Sequence, residues 1–326
     1  MIGLDQYPVD AADFDGPVLV TGAGGCIGAW VLALLSRAGV PAVAFDLTDD
    51  KRRPRLLMSD EAVGDIPWET GDIADTDRVA SVVRDHGVRA IIHLAALQVP
   101  FCKADPINGA KVNVVGTVNV FEAARGQGLK RVAFASSIAA HSFFPDQNWL
   151  PTLYGAYKYC DEMLAKVYFR DWDVPSIGIR PGVVYGIGRD QGMTSKTTIA
   201  ILAAAAGKPY TIPFSGGVSG LHAGEVASAF IKSVSMERSD ALVFDHNGVP
   251  STIEDWLTLV RKVAPSAEAL NATGEALPFP SELSDEPIRA FLGDFGQMSL
   301  SEGIQATYDG FQALLGNGVM SASEIR

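Results

Sequence analysis

The chain has 326 residues, 48% of them hydrophobic and 20% charged, with a formal net charge of −12. That is the profile of a folded globular protein with room for a full core, arranged as two domains or one large one. The excess of acid argues against nucleic acid and against an anionic membrane surface as partners, since both call for clustered Lys and Arg.

Short apolar runs alternate with amphipathic segments through the first half. Residues 18–21 read as a strand that opens onto TGAGGCIG, four glycines in eight residues, and a helix is expected over 27–37. Glycine at this density costs backbone entropy, so a bare backbone is needed there. Between a strand and a helix the need is mechanical: one glycine permits the tight turn, one lets a pyrophosphate approach, and one lets the helix pack on the strand. The free N–H groups and dipole of the helix then attract the phosphates. Two spacings fit, Gly22-x-Gly24-x-x-x-Gly28 and Gly22-x-x-Gly25-x-x-Gly28. The second strand, 42–45, runs into Asp46, eighteen residues after Gly28. A carboxylate there accepts hydrogen bonds from the adenosine ribose hydroxyls and repels a 2′-phosphate, which predicts NAD rather than NADP. The basic run Lys51–Arg55 (KRRPR) reads as a solvated loop.

Further strands are expected at 68–71, 90–94, 131–136 and 176–180, with helices at 77–85, 108–125 and 154–170. This rhythm, with strands so apolar, predicts an α/β fold: a doubly wound parallel sheet of the Rossmann type, with ligands beyond the carboxyl ends of its strands. After Gly188 the rhythm loosens. Helices at 197–206, 223–235 and 252–263, a strand at 241–244 and a last helix near 301–315 are expected, with a turn-rich stretch before the last. Residues 1–187 and 217–247 are read as a dinucleotide-binding domain, and 188–216 with 248–326 as a smaller, irregular substrate-binding domain.

Motifs follow in chain order. GDIAD carries Asp72 and Ile73; HLAA holds His93, Leu94, Ala95 and Ala96; NVVGTVNVFEAAR starts at Asn113. FASS ends at Ser137 after Ser136, YGAYK holds Tyr154 and Lys158, RPGVVYG runs from Arg180 through Pro181 and Val183, and SLSEGIQATYDGF comes late. Together with TGAGGCIG, the series resembles the extended short-chain dehydrogenase/reductases, the NAD-dependent epimerase/dehydratase family, over nearly the whole chain. That family's TGxxGxxG is matched through Gly22, Gly25 and Gly28, which selects the second glycine spacing; the classical branch has glycine where Cys26 stands. By resemblance, Cys26 and Ile27 in the loop, Asp72 and Ile73, Leu94 to Ala96, Asn113, Ser136, Tyr154, Lys158, Pro181 and Val183 face the cofactor, and Asn113 on its helix also helps to order the site. Ser137 is the catalytic serine that the resemblance implies.

Tyr154 and Lys158 lie four apart and so project from one face of a helix. A free phenol is a poor base at neutral pH, and an ammonium nearby favours its ionised form. Tyr154 is then expected to exchange a proton with a substrate oxygen while hydride passes between the same carbon and NAD. Lys158, by resemblance, also holds the nicotinamide ribose, and Ser137 donates to the developing oxyanion. Family dehydratases carry Asp-Glu after the catalytic hydroxyl residue; Ile138 and Ala139 stand here, which disfavours water elimination. Nucleotide-sugar enzymes of the family carry an Asn and an Arg where this chain has Gly182 or Val183 and Val218 or Ser219, which tilts the expectation to a smaller substrate.

The expected activity is hydride transfer on a small sugar, sugar acid or similar hydroxy compound. The alternatives are a sugar or nucleotide-sugar epimerase and a non-catalytic NAD-binding regulator. Gln98, Lys103, Ser137, Arg189, Gln191 and Thr194 are the substrate-side candidates, and His222 is read as finishing the following helix. The five histidines show no metal-ligand spacing and no metal is expected; three scattered cysteines suit a reducing compartment. The opening MIGLDQYPVD lacks a basic, apolar leader, and no apolar run approaches the roughly 20 residues of a membrane helix, so a cytoplasmic chain off the membrane is expected. The resemblance also implies a homodimer pairing the helices at 108–125 and 154–170.

Overall fold

The computed structural model describes residues 3–145, 148–264 and 269–325. Seven parallel strands form the central sheet: β1 (Val18–Thr21), β2 (Ala42–Asp46), β3 (Trp68–Thr70), β4 (Ala90–His93), β5 (Val132–Ala135), β6 (Ser176–Pro181) and β7 (Ala241–His246). Their spatial order is β3-β2-β1-β4-β5-β6-β7, so the order reverses between β1 and β4. A crevice opens beyond the carboxyl ends of the strands at such a switch point.

Alternation along the strands loads both faces of the sheet. Val18 and Val20 turn to one side, with Ala44, Ile92 and Ala133, and meet helices α1 (Cys26–Ala38) and, in the second half of the chain, Ala223–Ser233. Leu19 turns to the other, with Val43, Phe45, Ile91 and Phe134, and meets α2 (Thr76–Asp85), α3 (Gly116–Gly126) and α4 (Leu153–Trp172). All four residues of β1 and of β4 are buried. Each aliphatic side chain buried this way is worth about 1.5–3 kcal/mol.

Two findings depart from the sequence expectation. The helix read over 108–125 is broken: Pro106–Ala110 is α-helical, Lys111–Val115 forms one π turn, and α3 begins at Gly116. The π turn carries Asn113 inward, and Gly116 rests on Ile73, whose Cγ2 would lie 2.8 Å from an added Cβ. The loosely patterned second half contains short strands that were not anticipated, Val184–Tyr185, Gly217–His222 and Val249–Thr252 in one sheet and Tyr210–Ile212 with Leu270–Ala272 in another, plus a helix at Glu286–Leu292. Among the described residues no helix is long and apolar enough to cross a membrane.

Candidate active site

A cavity of about 620 Å³ lies at the switch point. Its wall takes in the glycine loop, the segment from Leu94 to Phe101, Ser136 and Ser137 after β5, Tyr154 and Lys158 on α4, Pro181 to Val184, and the run from Gly188 to Thr194.

At one end the loop is built for close approach. Gly22 has φ +68°, and a Cβ there would lie 2.7 Å from the Ala95 nitrogen; a Cβ at Gly28 would lie 2.3 Å from the Gly22 carbonyl oxygen. A side chain at Gly22 would push the loop off the segment after β4, and one at Gly28 would push α1 off the loop. Gly25 is the N-cap of α1, so unpaired N–H groups of the first turn face the cavity. Asp46, at the end of β2, accepts from the N–H groups of Gly24 (2.8 Å) and Leu47 (2.7 Å). Burial pushes its carboxyl up, while those N–H donors and the Arg53 charge pull it down. Asp72 closes an Asx turn on Ala74, and Asn119 holds the Ile73 carbonyl. Cys26 sits at the loop, where burial pushes its thiol up to about 11, so it is a neutral packing group.

The basic run is not a solvated loop. Arg52–Arg55 forms a short helical turn, and Arg53 donates to the Gly24 carbonyl (2.8 Å) and to Asp190 (2.7 Å). Arg52 joins the same carboxylate. The 190 region is thereby tied to the glycine loop.

The catalytic candidates converge from two elements. Ser137 is the N-cap of the 3-10 turn Ile138–Phe143 and accepts from the Ala139 N–H. Thr152 caps α4, which puts Tyr154 in its first turn. Gly155 lets α4 press onto the turn after β5: a Cβ there would lie 2.5 Å from the Ala139 carbonyl oxygen. Lys158, one turn further and 2% exposed, donates to Asp161 at 3.3 Å. Asp161 is sealed from solvent, and burial raises its carboxyl to about 6 against the pull of Lys158. Ser136 lines the cavity, but its hydroxyl donates to Glu162, which receives a fork from Arg180 at 2.7 Å twice. Arg180 reaches on to Asp245, which also meets His141. This buried network fastens α4 to β6 and β7. The neighbouring tyrosines are packing groups: Tyr157 donates to the Pro106 carbonyl, Tyr159 lies on Phe143 and Phe144, and Tyr168 stacks on Phe121.

Behind the site runs a relay of fixed polarity. Leu94 and Ala95 donate their N–H groups to Thr21 Oγ1, so its hydroxyl proton goes to His93 Nδ1 at 2.7 Å. His93 Nε2–H then faces Thr117 Oγ1, which donates to the Asn113 carbonyl. Burial and the Lys158 charge push His93 down to about 3, which keeps the ring neutral. Asn113 does not line the cavity; its amide grips both the N–H (2.7 Å) and the carbonyl (3.0 Å) of Leu97 and so shapes the loop that does. Lys103 is exposed and lies off the cavity wall. Gln98, Arg189, Gln191 and Thr194 are on it. His222 caps the helix Ala223–Ser233 and bonds Tyr7, away from the cavity.

Residues 18–241 match the NAD dependent epimerase/dehydratase family. The chain belongs to that family. Over 157 residues it is 31% identical to a UDP-glucose 4-epimerase of Azospirillum brasilense, a match that takes in 46% of this chain and 43% of that protein. The chain spans about half the length of the curated relatives it matches. Among solved structures, the Thermus thermophilus UDP-glucose 4-epimerase in complex with NAD is similar at TM-score 0.75 and 23% identity, over 92% of this chain and 100% of that one. The L-threonine dehydrogenase of Clostridium difficile is similar at TM-score 0.76 and 20% identity, over 94% and 99%. At those identities the likeness speaks for the fold.

The family's cofactor is NAD, and the glycine loop and Asp46 fit it. Two features of the site were outside the sequence reading, the Lys158–Asp161 pair and the Arg53–Asp190 tie, and so was a cluster of Glu225, His246 and Asp285 that lies off the cavity wall. That cluster is knit to the protein itself: Arg289 pairs with Glu225, and the N–H groups of Asn247 and Gly248 bind Asp285.

Proposed function

We propose that this chain transfers hydride between NAD and a hydroxyl or keto carbon of a small sugar, sugar acid or similar hydroxy compound. The observation that carries the proposal is that Ser137, Tyr154 and Lys158 line one cavity with the glycine loop. In the oxidative direction Tyr154 Oη takes the proton from the substrate hydroxyl, and Ser137 Oγ steadies the same oxygen as its carbon becomes trigonal. A bound NAD would supply the hydride acceptor for that carbon. The only hydrogen bond from Lys158 among the described residues goes to Asp161, which leaves ammonium donors for the nicotinamide ribose. Reduction reverses the path, with Tyr154 giving up the proton. Gln98, Arg189, Gln191 and Thr194 form the substrate side.

A smaller substrate is supported at the two positions where a nucleotide sugar would be held. Ser219 Oγ receives the Val183 N–H at 3.1 Å, and an added Cβ at Gly182 would meet it at 2.6 Å, so these groups fill one another's space. Epimerisation is the second reading, favoured by the UDP-glucose 4-epimerase among the relatives. Following NADH absorbance across sugars, sugar acids and hydroxy acids separates the two: net reduction of NAD supports the dehydrogenase, and interconversion of sugar isomers without it supports the epimerase.

A further inference from the structure

Arg189 stands on the same cavity wall as the glycine loop and Tyr154, and its charge pulls the Cys26 thiol down against burial. Among the described residues its side chain makes one hydrogen bond, from Nη2 to Thr194 Oγ1 at 3.1 Å, while its Nε is buried with no partner. Among the described residues no carboxylate lies within 4 Å of it. The adjacent Asp190 is already taken by Arg52 and Arg53, so the nearest acid is spent on two other guanidinium groups. A largely desolvated cation without a counter-ion is costly in a folded protein. It is worth keeping where a ligand brings the missing charge.

Gly192 is shaped around this group. Its φ is +92°, and a Cβ there would lie 2.4 Å from Gln98 Oε1 and 3.3 Å from Arg189 Nη2. The bare backbone lets the loop after β4 and the 188–194 run close on one spot, where an amide, a guanidinium and a hydroxyl converge.

We propose that Arg189 receives a carboxylate of the substrate, so that the compound acted on is a hydroxy acid or sugar acid rather than a neutral sugar. This rests on the oxidoreductase reading given above and narrows it. A planar guanidinium matches a carboxylate in geometry as well as charge. Thr194 and Gln98 supply the neighbouring polar contacts, and the carbon bearing the reacting hydroxyl then falls toward Tyr154. The pyrophosphate of the dinucleotide has its own donors, the N-terminal turn of α1.

The test compares wild type with Arg189→Met and Arg189→Lys. Turnover is measured on short hydroxy acids and aldonates (lactate, glycerate, gluconate, galactonate), on their neutral counterparts glycerol, glucose and galactose, and on glycerol 3-phosphate and glucose 6-phosphate. NADH affinity is measured separately by fluorescence, and binding of the same acids to the NADH complex by calorimetry. Activity should be confined to acids, and Arg189→Met should lower kcat/KM by about 30-fold or more, the loss expected when one partner of a buried charge pair is truncated. Arg189→Lys should recover part of it, and NADH should bind both variants as it binds wild type. Turnover of neutral sugars that ignores the substitution, a requirement for phosphate esters alone, or a loss confined to NADH affinity would each overturn the proposal. Acids that bind the NADH complex through Arg189 without ever being oxidised would sustain it while refuting the oxidoreductase reading.

Discussion

Lys158 and Asp161 form an ion pair sealed from water, with Nζ 3.3 Å from Oδ2 and the two side chains 2% and 0% exposed. The ammonium on the cavity wall is thus held from behind by a carboxylate that burial raises to about 6. Above that pH the pair is complete; below it Asp161 takes a proton and Lys158 loses its counter-charge. The rate should therefore fall on the acid side with an inflection near pH 6, and Asp161→Asn should remove that inflection. Stability follows the opposite sign. The folded state holds the Asp161 proton more tightly than the unfolded chain, whose aspartates titrate at about 3.9. Its contribution to folding is full below that value and is lost as the pH rises through about 6. Chemical denaturation from pH 4 to 7 should show wild type losing this stability while Asp161→Asn does not.

The Arg180–Glu162 fork ties α4 to the sheet. Glu162→Gln removes one of the two carboxylates on Arg180 and leaves Asp245, so the loss should be about 1–3 kcal/mol, that of a weakened buried hydrogen bond to a charged group. The urea midpoint should drop accordingly, and activity should fall only as far as the folded fraction does.

We propose that Asp46 excludes a 2′-phosphate; Arg53 stands beside it with its side chain 13% exposed. Asp46→Ala should weaken NAD and raise the ratio of kcat/KM for NADP over NAD by about tenfold or more, since each tenfold step is only 1.4 kcal/mol.

Ile107 and Val115, on the π-interrupted helix, are 73% and 42% exposed, and Leu153 and Trp172 at the ends of α4 are 44% and 43% exposed. An open apolar surface of this kind suits a second copy of the chain, and we propose a homodimer through these helices. Sedimentation should give a dimer for wild type and a monomer for Ile107→Asp/Val115→Asp.

Much of this was legible in the sequence because its causes are local. The strand VLVT, the glycines after it and the helix that follows are adjacent in the chain, so their geometry is written in neighbouring residues. Tyr154 and Lys158 lie one helical turn apart for the same reason. What escaped depends on distant partners. KRRPR looks solvated until Asp190, 137 residues from Arg53, comes to meet it. Asp161 reads as one more acid on a helix surface until the fold turns that surface toward His93 and Thr117. The π turn at Asn113 leaves the apolar spacing intact, so periodicity passes through it. GVSGLH, rich in small residues, becomes a strand only through its pairing with Val249–Thr252 and Val184–Tyr185.

The claim that Tyr154 moves the proton is tested most directly with Tyr154→Phe. NADH affinity should stay at the wild-type value, while turnover on the best substrate of the panel falls by about 100- to 10,000-fold, the range assigned to a positioned acid–base group. Turnover at the wild-type rate with phenylalanine in place would contradict the account, since that ring has no oxygen through which to exchange a proton with the substrate.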